Sequence, residues 1–480
     1  MTSDVIQPSH EEVAVAVLAA GYGTRMKSTR PKHLHTVGGT PIVERVIRAG
    51  LAVEPEQLVV VVSPPLGALP AMLEMPGAFT TTVQEIAEGT AAAVRCALEA
   101  IGPCRWLISL LGDSPLLTGE TVAALLEGAR RTGAKITILT CELPDAANYG
   151  RIARNAAGDP VGIVEKKNDA PLLRQGRTEI NSGIMVLDAA WASDTLATMC
   201  RNELTNEFLL TDLVAMAVEQ RARDEPWPVA TVVGEPEVAL GVNDRRDLMA
   251  ADAAVRRLTQ SRLLDAGVTI IGGESVVVDE AVRVGADTVL MPFTVISGKT
   301  VIGSGCTIGP GAVLHDALIG DRVTVRSSTV TGSAIGADSD VGPYAHVRGG
   351  CRIGANVHIG TSAELKNTVL GDGSKSGHFS YLGDATLGQG VNIGAGTITA
   401  NYDGAAKHPT TIGNRAFIGS DTVLIAPVLV GEGAVTGAGS VVTRDVEAGS
   451  TVIGVPARPY SRSGNRRAAD AAGAGDTDKG

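Results

Sequence analysis

Two groups of residues in this 480-residue chain have the types and spacing to do chemistry. The first is the string Leu18–Lys32, LAAGYGTRMKSTRPK, which follows the apolar run Val13–Leu18. A strand that runs into a small, glycine-containing loop exposes backbone N–H groups to a phosphate chain. Gly21 and Gly23 let the backbone approach closely, and Arg25 and Lys32 add two cations able to neutralise charge on a transferring phosphoryl group. The spacing matches neither GxxxxGK[ST] nor GxGxxG. A glycine turn with two basic residues is by itself also ordinary loop chemistry; the whole string is the more specific signal. Further on, Asp113 closes another apolar run in Gly112–Asp113–Ser114–Pro115–Leu116, where a carboxylate either caps a turn or holds a metal.

The second group interrupts a repeat. Ile335, Val341, Val347, Ile353, Ile359 and Leu365 are spaced six apart, and Ile412, Ile418, Leu424, Val430, Thr436 and Val442 resume the register. A small residue, most often glycine, usually follows. A hexad of this kind reads as a parallel β-helix whose strands each feed one side chain inward. Two breaks are expected, Gly371–Gly383 (GDGSKSGHFSYLG) and Thr399–Thr411 (TANYDGAAKHPTT). They hold His378 and Tyr381, then Asn401, Tyr402, Asp403, Lys407 and His408. These side chains suit binding a sugar phosphate and moving a proton.

The elements that must position these residues fall into two kinds. Val13–Leu18, Leu58–Val62, Trp106–Leu111, Ile136–Thr140 and Ile184–Leu187 read as short buried strands. Between them, Pro41–Ala49, Thr90–Ala100, Thr118–Thr132 and Glu207–Arg221 read as helices. The alternation predicts an α/β domain with a mostly parallel, Rossmann-like sheet and ligands at the strands' carboxyl ends. The expected boundaries are 1–243 for this domain, 244–267 for a helical linker, 268–460 for the β-helix and 461–480 for a disordered tail.

Of the 58 glycines, 33 lie between Val268 and Arg458, as repeated tight corners require. Net charge −11 argues against nucleic acid as a main partner, though not against phosphate ligands in local basic pockets. The six cysteines form no CxxC pair, so free thiols in a reducing cytoplasm are expected; Cys306 and Cys351 fall inside hexads and read as packing residues. Val13–Ala20 is too short for a membrane span, and no signal peptide is read.

The Leu18–Lys32 string resembles the signature of sugar-1-phosphate nucleotidyltransferases. Gly112–Leu116, Tyr149–Ile152, Ile163–Lys166, Glu179–Gly183 and Gly241–Asn243 follow in that family's order. The β-helix is similar to the acetyltransferase domain of the bifunctional N-acetylglucosamine-1-phosphate uridyltransferase/glucosamine-1-phosphate acetyltransferase family. Together the resemblances cover about Val13 to Arg458. They imply a left-handed β-helix, a homotrimer, Mg²⁺, and acetyl-CoA and UTP as co-substrates. The product, UDP-N-acetylglucosamine, would feed peptidoglycan and lipopolysaccharide precursors.

The site residues the resemblance implies fall in both parts of the chain. Mg²⁺ would be held by Asp113 and Asn243, while Arg25 and Lys32 stabilise the transferring phosphoryl group. The nucleotide would meet Leu18, Ala19, Ala20, Gly21, Lys32, Gln84, Gly89, Thr90, Leu111 and Gly112. Gly150, Glu165 and Asn181 would hold its sugar. In the β-helix His378 would be the general base, assisted by Glu364. Arg348 and Lys366, joined by Tyr381, Asn392 and Lys407, would grip the sugar phosphate. Ala395, Asn401, Tyr402, Ser420, Ala438 and, as nearest basic residue to the cofactor phosphates, Arg458 would meet acetyl-CoA.

The sequence departs from the family in three places. Ala91 and Ala92 replace a glycine and a histidine after Gly89-Thr90, Val455 stands where relatives often have a basic residue, and Gly349 follows Arg348 in place of proline. One alternative is a single-activity sugar-1-phosphate nucleotidyltransferase whose β-helix is structural or regulatory; such a helix has no need of His378, Asn401–Gly404 and Lys407 together. A non-catalytic scaffold or sugar-nucleotide sensor is a third reading, disfavoured by the intact Arg25, Lys32, Asp113 and Asn243.

Overall fold

The structure is a computed structural model that describes residues 12–73, 75, 77–146, 149–165, 178–203 and 205–460. The expected disordered tail, 461–480, lies outside the described residues. Two compact units divide the chain, Met1–Val255 and Arg256–Gly480.

In the first unit β1 (Val13–Ala19), β2 (Gln57–Val62), β3 (Thr80–Val83), β4 (Trp106–Leu111), β5 (Ile136–Leu143), β6 (Arg151–Arg154), β7 (Pro160–Val164), β8 (Thr178–Asp188) and β9 (Val229–Gly234) form one sheet. Its main order is β9-β5-β8-β4-β1-β2-β3, with the β6–β7 hairpin attached to β8. Pairing is parallel except within the β6–β7 hairpin and around β8, which runs against β4 and β5. The continuous Val/Ile/Leu runs of β1, β2 and β4 are buried on both faces, as helix-covered parallel strands must be. One core lies on each side of the sheet.

The expected strands and helices are present, with two differences. The strand at Ile184–Leu187 is the end of the 11-residue β8, whose first half passes through Asn181 and bulges between Asn181 and Met185. The helix expected over Glu207–Arg221 covers only Asp212–Gln220, because residues 206–210 run as an irregular segment bonded to Glu88, Thr90 and Ala91. The α-helix Arg245–Asp265 fills the expected linker, and the two units part within it.

The second unit is a stack of coils. Three sheets of 12, 10 and 9 strands run its length, one strand of each per coil, and all are parallel but for the last strand of the first. This architecture with hexad spacing is consistent with the left-handed β-helix. Inward residues such as Ile335, Val341, Ile359 and Leu365 are buried in one continuous core. At one end Gln260 Nε2 donates to Gly273 O (2.9 Å) and Val276 O (2.8 Å), so the last turns of the helix cover the first coil's backbone. At the other, Arg458–Pro459 pairs antiparallel with Thr451–Ile453 and closes the sheet edge.

The first expected break is corrected by the structure. Residues 371–383 do not leave the coil: Lys375–Ser376 and Ser380–Gly383 continue the sheets in register. The hexad is lost from the sequence because the inward positions step by five at two corners, Leu365 to Leu370 and Leu382 to Leu387. The inward residue at 376 is also a serine, buried and bonded through Oγ to Ser380 Oγ at 2.7 Å. The second insertion is real. Tyr402 bridges Lys407, and the coil resumes at Thr410.

Candidate active sites in two units

In the first unit the strand ends bring the expected residues together. Gly112 N donates to Leu18 O at 2.9 Å, and a Cβ on Gly112 would sit 2.8 Å from that oxygen. Only glycine lets the β1 and β4 ends approach so closely. Gly23 adopts a left-handed φ of 62°, and a Cβ there would lie 2.5 Å from Lys32 Cβ. The loop therefore folds back so that buried Lys32 Nζ reaches Asp113 Oδ2 at 2.5 Å. Arg25 Nη2 donates to Asn243 Oδ1 at 3.0 Å, and Val242 N to Asp113 O at 2.8 Å, tying the last motif to the Asp113 turn.

Asp113 and Asn243 are thus neighbouring oxygen donors, each now bonded to a cationic side chain. Hard oxygen donors of this kind fit Mg²⁺, which is commonly held by one or two protein oxygens plus substrate phosphates. Among the described residues no group of three or more His, Cys, Asp or Glu forms a complete metal cage.

A cleft of about 320 Å³ opens here, lined by Leu18, Ala20, Gly21, Lys32, Gln84, Gly89, Thr90, Leu111 and Asp113. His33, Ala87, Ala93, Glu207 and Leu209 also line it and were not among the expected residues. Burial, with the neighbouring Lys32 ammonium, pushes His33 down to about 4, so its ring is neutral near pH 7. No family motif marks His33; only its place beside Lys32 could have. Gln84 is buried and donates to Gly89 O at 3.4 Å. Gly150 and Glu165 flank the β6–β7 hairpin, whose Arg151–Val164 pairing sets them opposite each other. Asn181 N donates to Gly150 O at 2.8 Å, so the three expected sugar residues converge.

In the β-helix His378 occupies a corner between two sheets. The corresponding corners above and below put Phe293, Gly311, Ser327, Tyr344, Ser362, Gly396, Asp421 and Gly439 at positive φ; Phe379 is the exception in this column. His378 is exposed and has no side-chain hydrogen bond among the described residues. Ala395, Ser420 and Ala438 stack above it on successive coils, linked by Gly396 N to Phe379 O (2.7 Å), Asp421 N to Ala395 O (2.6 Å) and Gly439 N to Ser420 O (2.8 Å). The expected base and three expected acetyl-CoA contacts therefore form one column. At the strand spacing of about 4.8 Å it runs roughly 14 Å, the scale of an extended cofactor arm. Val455 and Arg458 follow near its end, both exposed.

Gly360 lies one coil below, and a methyl group there would collide with Gly377 O. Gly360→Ala is expected to shift the His378 corner and cut acetyl transfer about a hundredfold, with pyrophosphate release unchanged, as paired assays of the two reactions would read.

The expected sugar-phosphate residues gather at the other edge of the same sheet. Arg348 Nη1 donates to Glu364 Oε1 at 2.8 Å, so within one chain Glu364 is paired with Arg348 and not with His378. Lys366 lies beside Lys407, and the close contact with that side chain and its charge pulls Lys366 below the usual lysine range. Two clustered ammonium groups supply charge of the kind that pairs with a phosphate. Asp384, not expected from the sequence, accepts Asn401 Nδ2 (2.5 Å) and Asn367 Nδ2 (2.8 Å). Burial raises its carboxyl, but these bonds and the Lys407 and Lys366 charges outweigh it and hold the group low. Asp384 directly follows the quoted strand Ser380–Gly383, yet nothing in its residue type marked it. Tyr381 lies beside Glu364 on the adjacent strand, whereas Asn392 faces outward on a different sheet. Tyr402 Oη donates to Gly404 O (2.6 Å) and Asp403 accepts from Ala405, Ala406 and His408, which closes the insertion on itself.

Residues 15–177 match the family model "MobA-like NTP transferase domain". Residues 272–359 match "GMPPB C-terminal domain", and 409–444 match "Bacterial transferase hexapeptide (six repeats)". Similar curated proteins extend over nearly the whole chain. One from Pelobacter propionicus, named "Bifunctional protein GlmU", is 41% identical over 92% of this chain and 96% of its own. The chain belongs to the bifunctional GlmU family. GlmU proteins of Anaeromyxobacter sp. (43% identical, 87% of this chain and 85% of theirs) and Synechococcus sp. (38%, 94% and 98%) agree. As a GlmU-family member it is a two-activity transferase, a uridyltransferase and an acetyltransferase in one chain. Among the described residues no helix is long and apolar enough to cross a membrane.

Proposed function

We propose that the β-helix acetylates glucosamine 1-phosphate from acetyl-CoA, and that the first unit joins the product to UTP, giving UDP-N-acetylglucosamine and pyrophosphate. The observation that carries this reading is that each unit carries its own set of chemical groups: Arg25, Lys32, Asp113 and Asn243 in one, and in the other His378 at one end of a strand with Arg348, Lys366, Asn401 and Lys407 toward its far end.

In the first unit the sugar's phosphate oxygen attacks the α-phosphorus of the triphosphate and pyrophosphate leaves. No protein nucleophile is needed, since the attacking phosphate is already ionised. Lys32 and Arg25 turn from Asp113 and Asn243 toward the phosphates and stabilise the charge that develops on them. Asp113 and Asn243 would hold a Mg²⁺ ion, which supplies charge neutralisation across the phosphates. Gln84, Gly89 and Thr90 face the base, and Gly150, Glu165 and Asn181 the sugar. Chelation by EDTA is expected to abolish pyrophosphate release and leave CoA release intact; loss of both would contradict a metal confined to this step.

In the β-helix His378 takes a proton from the 2-amino group as it attacks the thioester, a task for which imidazole suits working pH. Arg348, Lys366 and Lys407 hold the phosphate, and the Ala395–Ser420–Ala438 column meets the cofactor. From His378 to Gly383 is a full strand, roughly 16 Å at about 3.3 Å per residue, and the Asn401–Lys407 hairpin lies at its far end. One chain's hairpin is therefore remote from its own His378, which supports a homotrimer in which a second copy completes each acetyl-transfer site. Sedimentation is expected to show three chains, and an active monomer would overturn this part. The reading places the enzyme in the cytoplasm, supplying cell-wall precursors. Assays of wild-type protein with UTP, dTTP and GTP, and with acetyl-CoA and glucosamine 1-phosphate, test it directly.

A further inference from the structure

The nucleotide cleft has a latch outside its lining. Phe208 has two guanidinium groups over its ring, Arg201 at 4.7 Å and Arg95 at 5.3 Å from the ring centre. Both arginines also pair with Glu88, Arg201 through a short hydrogen bond and Arg95 at 4.0 Å. The backbone repeats the connection: Phe208 N donates to Glu88 O (2.8 Å), Ala91 N to Phe208 O (2.9 Å), and Leu210 N to Thr90 Oγ1 (3.0 Å). Gly89, at φ 111°, packs so closely on Phe208 O that no Cβ fits.

Each partner of this latch adjoins a cleft wall. Gly89 and Thr90 line one side, and Glu207 and Leu209, which flank Phe208, line another. We infer that the Arg95–Phe208–Arg201 cluster, keyed by Glu88, is a positioning device that fixes the distance between the Gln84–Thr90 wall and the Glu207–Leu209 wall and thereby sets nucleobase selectivity. Ala91 and Ala92 have only methyl side chains, both buried, so they bring no polar group to the loop. Its orientation rests on the bonds to Glu88, Thr90 and Phe208.

The inference rests on the uridyltransferase reading of this cleft. Two cation–π contacts, each worth about 0.5–1 kcal/mol at partly exposed sites, correspond to roughly a tenfold effect when both are lost. Phe208→Ala is expected to raise KM for UTP about tenfold, to narrow the preference for UTP over CTP and dTTP by a similar factor, and to change kcat less than about twofold. Phe208→Tyr keeps the ring and is expected to restore both values. Arg201→Ala, a substitution at an exposed side chain that does not threaten the fold, is expected to give a smaller shift in the same direction. Denaturant unfolding of the same preparations, with the first unit's transition where wild type has it, reports that this unit is intact. Unchanged KM and unchanged base preference in Phe208→Ala and Arg201→Ala would overturn the latch, as would a fall in kcat alone. Failure of wild-type protein to release pyrophosphate from UTP would instead overturn the reading on which it rests.

Discussion

His378→Ala is expected to lower CoA release from acetyl-CoA and glucosamine 1-phosphate by a factor of about 10²–10⁴, the usual worth of a positioned general base. Pyrophosphate release from UTP and N-acetylglucosamine 1-phosphate is expected to stay within about twofold of wild type. The selectivity follows from structure. His378 belongs to the second unit, is exposed, and makes no side-chain hydrogen bond among the described residues, so its loss removes no packing and no internal bond. The inward residues of that coil, Ser376 and Leu382, remain buried and in register. If the variant kept full acetyl transfer, the proton would be taken elsewhere. If it lost both activities while folded, the two-site reading would be wrong.

Asp113→Ala is expected to do the reverse, with pyrophosphate release falling at least about a hundredfold and CoA release retained. This substitution also has a stability effect. Lys32 is buried and its ammonium pairs with Asp113 at 2.5 Å; removing the carboxylate leaves a buried charge without its partner, at a cost of about 3 kcal/mol. Denaturant unfolding is expected to show an early transition in the variant. Combining Lys32→Met with Asp113→Leu removes both charges and is expected to recover most of the stability without recovering activity. That pair of results separates the chemical role of the Lys32–Asp113 pair from its structural one. Recovery of activity in the double variant would show that the pair acts only through folding.

Much of this was legible in the sequence, and the exceptions have physical causes. Local strings such as Leu18–Lys32 and Gly112–Leu116 announce themselves because a close strand approach at Gly112 and a left-handed Gly23 tolerate few substitutes. The hexads do so because each inward side chain meets the same coil above and below. The register through 371–383 was hidden because a five-residue step at a corner and an inward Ser376, satisfied by Ser380, both mimic an interruption while leaving the backbone ladder whole. Asp384, His33 and the Arg95–Phe208–Arg201 latch were invisible for a different reason. The latch joins segments up to 120 residues apart, and Asp384 meets Asn367 and Asn401 across neighbouring coils, contacts that leave no periodic or motif signature. The start of β8 was missed because its polar Asn181 and Ser182 break the apolar run just where the strand bulges.

The most direct test of the account is CoA release by the wild-type protein. With acetyl-CoA and glucosamine 1-phosphate, thiol should appear stoichiometrically with N-acetylglucosamine 1-phosphate, and adding UTP should convert that product to UDP-N-acetylglucosamine with release of pyrophosphate. A protein that releases pyrophosphate from UTP and N-acetylglucosamine 1-phosphate but no CoA from acetyl-CoA and glucosamine 1-phosphate would contradict it, and would make the β-helix a structural support.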